Sequence, residues 1–460
     1  MIGNNACGNR ALGYGRTSDN IVGMELLTAA GATLSAATGV AGGPPSLTGD
    51  DALAAELARL TDTHLDTIRT TFGTFGRQVS GYALEHLLPE RGRDVGRMLV
   101  GSEGTLAVVT EATVRLVTDP PATALAVLGF PDIYAAGDVA HLLKGLGAVA
   151  AEGIDSRIVD VVRTRRGPHA VPELPRGAAW MLVEVPGEDP AAAYAAAERV
   201  CREIGAIDAA VVTDPAHAKA LWKIREDGAG LSSRSPRDRP AHAGWEDAAV
   251  PPERLGDYLR AFDALLEEHD VQGLPYGHFG DGCLHIRLDI DLDAPDATDR
   301  YRRLVEEAAD LVASYGGSLS GEHGDGRARS ALLPRMYDAE TMALFGAVKH
   351  AFDPTNLLNP GVLVDAAPVE ADIRIPAAHK VTVPLAFGYA GDDGDFSQAV
   401  HRCTGVGKCR AAGTSTTVMC PSYLATGEEK DSTRGRARAL QEMLNGETIR
   451  LDGAIRMAPK

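Results

Sequence analysis

Four side chains able to do acid–base and metal chemistry sit in two short glycine-rich stretches. Tyr276-Gly-His-Phe-Gly-Asp-Gly-Cys-Leu-His285 carries His278 and His285, and Ser320-Gly-Glu-His-Gly-Asp-Gly326 carries Glu322 and His323. Two residues an odd number of positions apart point to opposite faces of a continuous strand, because strand side chains alternate with period two. The chain must therefore turn between the two histidines, and Gly280-Asp281-Gly282 supplies the reversal. The run Ile286-Arg-Leu-Asp-Ile290 then alternates apolar and polar residues like a half-buried strand. His278 and His285 can thus face a common point from the two sides of a tight turn. Two imidazoles and the Glu322 carboxylate make a three-ligand set for a catalytic divalent metal, zinc or similar, with His323 left as a base. Two polar loops whose histidines only hydrogen-bond locally are the alternative. Four such groups on two glycine-rich loops favour the functional reading.

The chain around them has 460 residues, room for two or three domains with real cores. A formal net charge of −18 argues against nucleic acid or an anionic membrane as the main partner. No apolar run reaches the roughly 18 residues of a membrane span, and the start has no basic-then-apolar leader pattern. The expectation is a cytoplasmic chain, with a peripheral position at the membrane also open. Six cysteines are too few and too unevenly spaced for a disulfide framework. Three of them, Cys403, Cys409 and Cys420, cluster near the end, and a Cys-Pro step after closely spaced cysteines suggests iron–sulfur ligation.

Several elements must position these groups. The chain opens in the glycine- and asparagine-rich loop Met1 to Arg10, followed by a strand over 21–27 and a helix over 50–72 with Leu53, Leu57, Leu60, Leu65 and Ile68 on one face. Met98 to Leu106 precedes a strand over 107–116. Gly101 and Gly104 let backbone amides approach a nucleotide or flavin, although a Gly-x-x-Gly loop alone serves equally as a turn. Runs 124–130 and 180–185 read as buried strands, and 189–204, 251–269 and 299–315 as amphipathic helices. Pro251-Pro252 suits the first turn of the second helix. Alternating α and β segments on an antiparallel sheet predict a ferredoxin-like cap. Residues 363–396, rich in proline, alanine and acidic residues, read as a linker.

Asn4-Asn5-Ala-Cys-Gly8 with Tyr14-Gly15 and Asp19-Asn20, then Val79-Ser-Gly-Tyr82, then Gly101-Ser-Glu-Gly-Thr105 leading to Val109-Thr-Glu-Ala112 resemble the flavin domain of the FAD-linked D-2-hydroxyacid dehydrogenases. That group includes D-lactate and D-2-hydroxyglutarate dehydrogenases and the glycolate oxidase large subunit, within the vanillyl-alcohol-oxidase-like flavoproteins. The two histidine loops and Asp353-Pro-Thr-Asn-Leu-Leu-Asn-Pro-Gly361 resemble the same family's substrate domain and its closing loop.

The resemblance implies an α+β fold in four parts: the second half of a vanillyl-alcohol-oxidase-like FAD domain (1–120), a ferredoxin-like cap with the metal site (121–362), the linker (363–396), and a partial α-helical, ferredoxin-like 4Fe-4S segment (397–460). It implies FAD contacts from Gly3, Asn4, Asn5, Gly8, Asp19, Gly101, Ser102, Gly104, Thr105, Val108 and Asn359, and a substrate carboxylate on Arg225, whose planar fork suits it. The expected reaction oxidises a small D-2-hydroxyacid to the 2-oxoacid: His323 takes the hydroxyl proton and the flavin takes the α-hydrogen as hydride. Electrons would pass to an iron–sulfur or other carrier of the quinone, cytochrome or electron-transfer-flavoprotein class. Cys283 and Trp245 depart from the family pattern and suggest a different substrate, and Val406 interrupts the cysteine motif. The subdomain that receives the FAD pyrophosphate in the family precedes the Asn-Asn loop, and the chain is expected to be a fragment that starts after it and stops within the iron–sulfur segment. The alternatives are a metal-dependent hydrolase using the same ligands, or an inactive piece that needs the missing subdomain.

Overall fold

Residues 21–114 build the first sheet, in the computed structural model of the protein. It runs β3-β2-β1-β4, with β1 Ile21–Leu27, β2 Thr33–Ala37, β3 Ser46–Thr48 and β4 Val108–Val114. Its strands pair antiparallel, with Met24 opposite Ala36 on one side and Ala112 on the other. The edge strand β4 is exposed along its whole length. The structure describes residues 1–231, 235, 237, 239–243, 245–373, 375, 388–392, 394–403, 405, 407–410, 420–445, 449–451 and 455–457.

The expected helix over 50–72 is two helices, Asp51–Thr63 and Leu65–Thr71. Asp50 caps the first by accepting the Leu53 amide hydrogen at 2.9 Å. The break falls at His64, which leaves helical geometry and whose Nδ1 lies 2.7 Å from Glu340 Oε1. A tertiary anchor thus overrides a locally continuous apolar stripe. Behind these helices Phe72, Tyr82, Tyr337 and Phe345 form an aromatic cluster with ring centroids 5.3–5.7 Å apart. Gly81, at φ +79, passes so close to the Phe345 ring that a Cβ would lie 2.4 Å from its Cζ, so only glycine lets Ser80 reach inward there.

The second sheet has six antiparallel strands ordered β10-β9-β6-β7-β5-β8: β5 Ala122–Phe130, β6 Ala150–Asp155, β7 Ala179–Gly187, β8 Asp208–Val212, β9 Gly273–Gly277 and β10 His285–Leu288. Helix Ile133–Ala140 is not among the expected ones, whereas Pro190–Glu203 and Leu255–Glu268 agree with the apolar stripes within a few residues. Pro252 opens a 3-10 turn just before the last of them. The helices Ser156–Arg166 and Pro215–Leu231 contribute Ile158, Val162, Leu221 and Ile224 to a core with Leu125, Ile154, Trp180 and Leu274. Each fully buried aliphatic side chain there contributes about 1.5–3 kcal/mol.

The chain divides into two units, Met1–Ile290 with Arg302–Val369, and Asp291–Tyr301 with Glu370–Lys460. The second unit carries helices Phe396–His401, Pro421–Thr426 and Thr433–Asn445, with Val400, Met443 and Leu444 as a small core. Among the described residues no helix is long and apolar enough to cross a membrane.

Candidate active site

β9 ends at Gly277, a 3-10 turn covers Phe279–Asp281, and Gly282 in the left-handed region returns the chain to β10. The turn brings the His278 and His285 rings together edge to face, with centroids 5.1 Å apart. It is held against β6 by a close approach: a Cβ on Gly153 would lie 2.4 Å from the Phe279 ring. That approach places His278 beside Glu152, the neighbour of Gly153 on β6.

The Ser320–Gly326 loop adds Glu322 and His323. One carboxylate oxygen, Glu322 Oε1, has three imidazole nitrogens around it: Nε2 of His285 at 3.0 Å, of His278 at 3.2 Å and of His323 at 3.5 Å. The other oxygen accepts from the buried Arg77 at 3.1 Å, and Arg77 also holds Asp281 at 2.8 Å. A second set of groups fixes the rings from behind. Glu152 bonds His278 Nδ1, and the Glu246 carbonyl accepts from His285 Nδ1 at 3.1 Å. Asp247, fully buried, accepts the amides of Gly321, Glu322 and His323 and the Ser320 hydroxyl through Oδ2 at 2.5–3.1 Å. Glu152, Glu246, Asp247 and Arg77 escape a reading of motifs. Only Glu152 leaves a sequence signal, a lone acid within the apolar run Ala150-Ala-Glu-Gly-Ile154.

Burial works against charge on every member, yet the contacts decide the outcome. Hydrogen bonds from the three imidazoles hold Glu322 far below the ordinary carboxylate range. Burial would lower His278, but Glu152 and Glu322 raise it to about 9. Burial likewise opposes Glu246 and Glu322 at His323, which ends at about 10. His285, the most enclosed, is lowered, because desolvation outweighs its bond to Glu322.

The same atoms suit a divalent cation. Asp247, His285, Glu322 and His323 offer ligand atoms within 4.8 Å of one another, and each ring is oriented through the nitrogen it would not use for the metal, as ligating histidines are. His278 joins the group through its contact with Glu322.

The residues expected to contact a flavin meet this cluster. Asn4 Nδ2 donates to the His323 carbonyl at 2.6 Å, Glu103 N to the Gly3 carbonyl at 2.8 Å, and Asn359 Nδ2 to the Glu103 carbonyl at 2.7 Å. Glu103 accepts the Asp325 and Gly326 amides at 2.6 and 2.8 Å. Ser102 and Thr105 are buried, with Thr105 Oγ1 donating to the Ser102 carbonyl at 2.7 Å. Gly104 at φ +69 has open space where a Cβ would stand, as has Gly8. The loops around Gly3, Asn4, Gly8 and Gly104 thus offer backbone that a flat polar group can approach. Asn5 turns inward and accepts the Ser18 amide at 2.9 Å, and Gly101 packs on it. Asp19 is taken by Arg16 and Arg97. Val108 is about half exposed at the start of β4.

Arg225, on the helix Pro215–Leu231, bonds Glu152 through Nε at 2.9 Å and lies 5.3 Å from the Tyr276 ring centroid. Trp245 is buried and Cys283 points its thiol at Asp247 Oδ1, 3.7 Å away. Cys420 is buried against Ser422 and Asp431, and Cys403 and Cys409 are half-buried. Among the described residues the three thiols form no convergent ligand group. Val406 lies outside the described residues.

Comparison with known proteins extends this picture. Residues 119–363 match the family described as FAD linked oxidases, C-terminal domain. D-2-hydroxyglutarate dehydrogenase of Pseudomonas putida is 31% identical over 472 residues, covering 96% of this chain and 46% of that protein. D-lactate dehydrogenase of Archaeoglobus fulgidus is 29% identical over 365 residues, covering 79% of this chain and 69% of that protein. Glycolate oxidase subunit GlcD of Bacillus subtilis is 28% identical over 365 residues, 78% of this chain and 66% of that protein. This chain spans about half the length of the first of these relatives. With a family match over more than half of its residues, the chain belongs to the FAD-linked oxidases, in the group of the FAD-linked D-2-hydroxyacid dehydrogenases.

Proposed function

We propose that this chain carries the substrate side of an FAD-dependent oxidation of a D-2-hydroxyacid, of the D-lactate, D-2-hydroxyglutarate or glycolate class, to the 2-oxoacid. The observation that carries the reading is the convergence of three imidazole Nε2 atoms on one Glu322 oxygen, joined to the glycine-rich flavin loops through Asn4. Residues 1–120 then correspond to the second half of the FAD domain, 121–362 to the ferredoxin-like cap, 363–396 to the linker and 397–460 to part of an iron–sulfur domain.

A divalent metal supplies Lewis acidity and FAD supplies two-electron acceptance. His278, His285 and Glu322 would hold the metal, and the loops at Gly3, Asn4, Gly8, Gly104 and Asn359 would hold the flavin. Arg225, steadied by Glu152, presents its terminal nitrogens to the substrate carboxylate and orients it. His323, the most exposed of the three histidines, accepts the substrate hydroxyl proton at Nε2. The buried Tyr276 ring lies against His285, with centroids 5.5 Å apart, and shields it from water. Electrons leave to a carrier of the quinone, cytochrome, electron-transfer-flavoprotein or iron–sulfur class.

The test is a single-turnover measurement of flavin reduction. His323→Ala should lose at least about 100-fold in rate, the scale of a general base, while retaining its metal. An unchanged rate would remove His323 from the mechanism.

A further inference from the structure

Residue 246 touches two of the rings of the histidine cluster, one buried and one exposed. Its backbone carbonyl accepts from His285 Nδ1 at 3.1 Å, and its carboxylate oxygen Oε1 lies 3.4 Å from His323 Nδ1. The His285 and His323 rings are stacked, with centroids 4.9 Å apart and planes 12° from parallel. One residue therefore addresses the same nitrogen on two parallel rings. The next residue, Asp247, holds the backbone of the loop that carries His323. The division of labour is clear: Asp247 places the loop, and Glu246 has only a side chain to orient.

We propose that Glu246 is the positioning residue of the base, keeping the His323 proton on Nδ1 and so leaving Nε2 to accept the substrate proton. This rests on the proposed function for its catalytic consequence, though not for its geometry. In the step that Glu246 assists, the substrate O–H bond breaks and an N–H bond forms at Nε2. The resulting imidazolium is stabilised by the carboxylate at its other nitrogen, as in other base–orienter pairs. With the Glu246 side chain gone, Nδ1 keeps only Asp247 Oδ1 at 3.9 Å. That oxygen is too far for a hydrogen bond and already takes the Cys283 thiol. The ring is then free to carry its proton on Nε2 and donate to Glu322. In that tautomer it cannot act as a base.

The experiment uses the full chain loaded with zinc alone and labelled with ¹⁵N in its histidine rings. In the wild type, the His323 Nδ1 signal should be that of a protonated nitrogen and Nε2 that of an unprotonated one. Glu246→Ala should move His323 toward the opposite or an averaged tautomer. Glu246→Gln, whose amide oxygen still accepts, should keep the wild-type pattern, and zinc content should be the same in all three. With FAD and substrate, Glu246→Ala should lose about 10- to 100-fold in kcat, the scale of an outer-shell partner, with KM little changed and activity largely restored in Glu246→Gln. A wild-type tautomer pattern in Glu246→Ala overturns the proposal, as does equal loss in both variants. Absence of flavin reduction in the wild type would count against the proposed function, and the ring signals would still decide the role of Glu246.

Discussion

Arg77 is buried to 2% exposure between Asp281 of the histidine turn and Glu322 of the following loop. Burying a guanidinium is costly unless it is paired on both sides, and here both partners are carboxylates of the site. Replacing it with Met keeps volume but leaves two buried carboxylates without their counter-charge. Arg77→Met should weaken zinc binding by about 10- to 100-fold and destabilise the fold by about 3–5 kcal/mol. Zinc titration and denaturant unfolding check the two numbers separately, and unchanged zinc affinity would mean that Arg77 serves stability only. At this scale the sequence was legible where chemistry and backbone signals coincide. His278, His285, Glu322 and His323 stand among glycines that force turns. Arg77, Glu152, Glu246 and Asp247 do not, because each arrives from a distant segment as an ordinary charged residue, and only the folded chain shows what it faces.

Lys349 ties together two loops that are proposed to hold the flavin. Near the end of the helix Ala339–Phe352, its Nζ donates to the Thr105 carbonyl at 2.7 Å, the Leu358 carbonyl at 2.8 Å and Asp353 Oδ2 at 2.6 Å. Asp353 in turn accepts the amides of Leu357 and Leu358, which shapes the loop that delivers Asn359 to Glu103. Lys349→Met strands a buried carboxylate and should cost about 3–5 kcal/mol, seen as a lowered denaturant midpoint. A loss below about 1 kcal/mol would show that the loop holds itself. Elements themselves were read well wherever periodicity was strong, as in Leu255–Glu268 and β5. The helix break at His64 was not, since it depends on Glu340 far along the chain. The strand over 107–116 was read close to the place of β4, but its exposure on both faces was not, being a property of the sheet edge and not of the strand.

The whole molecule gathers its site from residues 4, 77, 103, 152, 225, 246, 278, 285, 322 and 323, so the chemistry exists only once both sheets are formed. The acidic balance of −18 fits this economy: much of the charge in the site is carboxylate that orients imidazole and guanidinium groups. We propose that this assembly oxidises D-2-hydroxyacids in a metal-dependent way. It is tested most directly by anaerobic mixing of the zinc- and FAD-loaded chain with D-lactate, D-2-hydroxyglutarate and their L enantiomers while flavin absorbance is followed. Reduction by at least one D enantiomer, absent with the L forms and abolished by prior chelation of the metal, is the predicted result. A loaded protein whose flavin stays oxidised with every D substrate, or is reduced equally after the metal is removed, would contradict it.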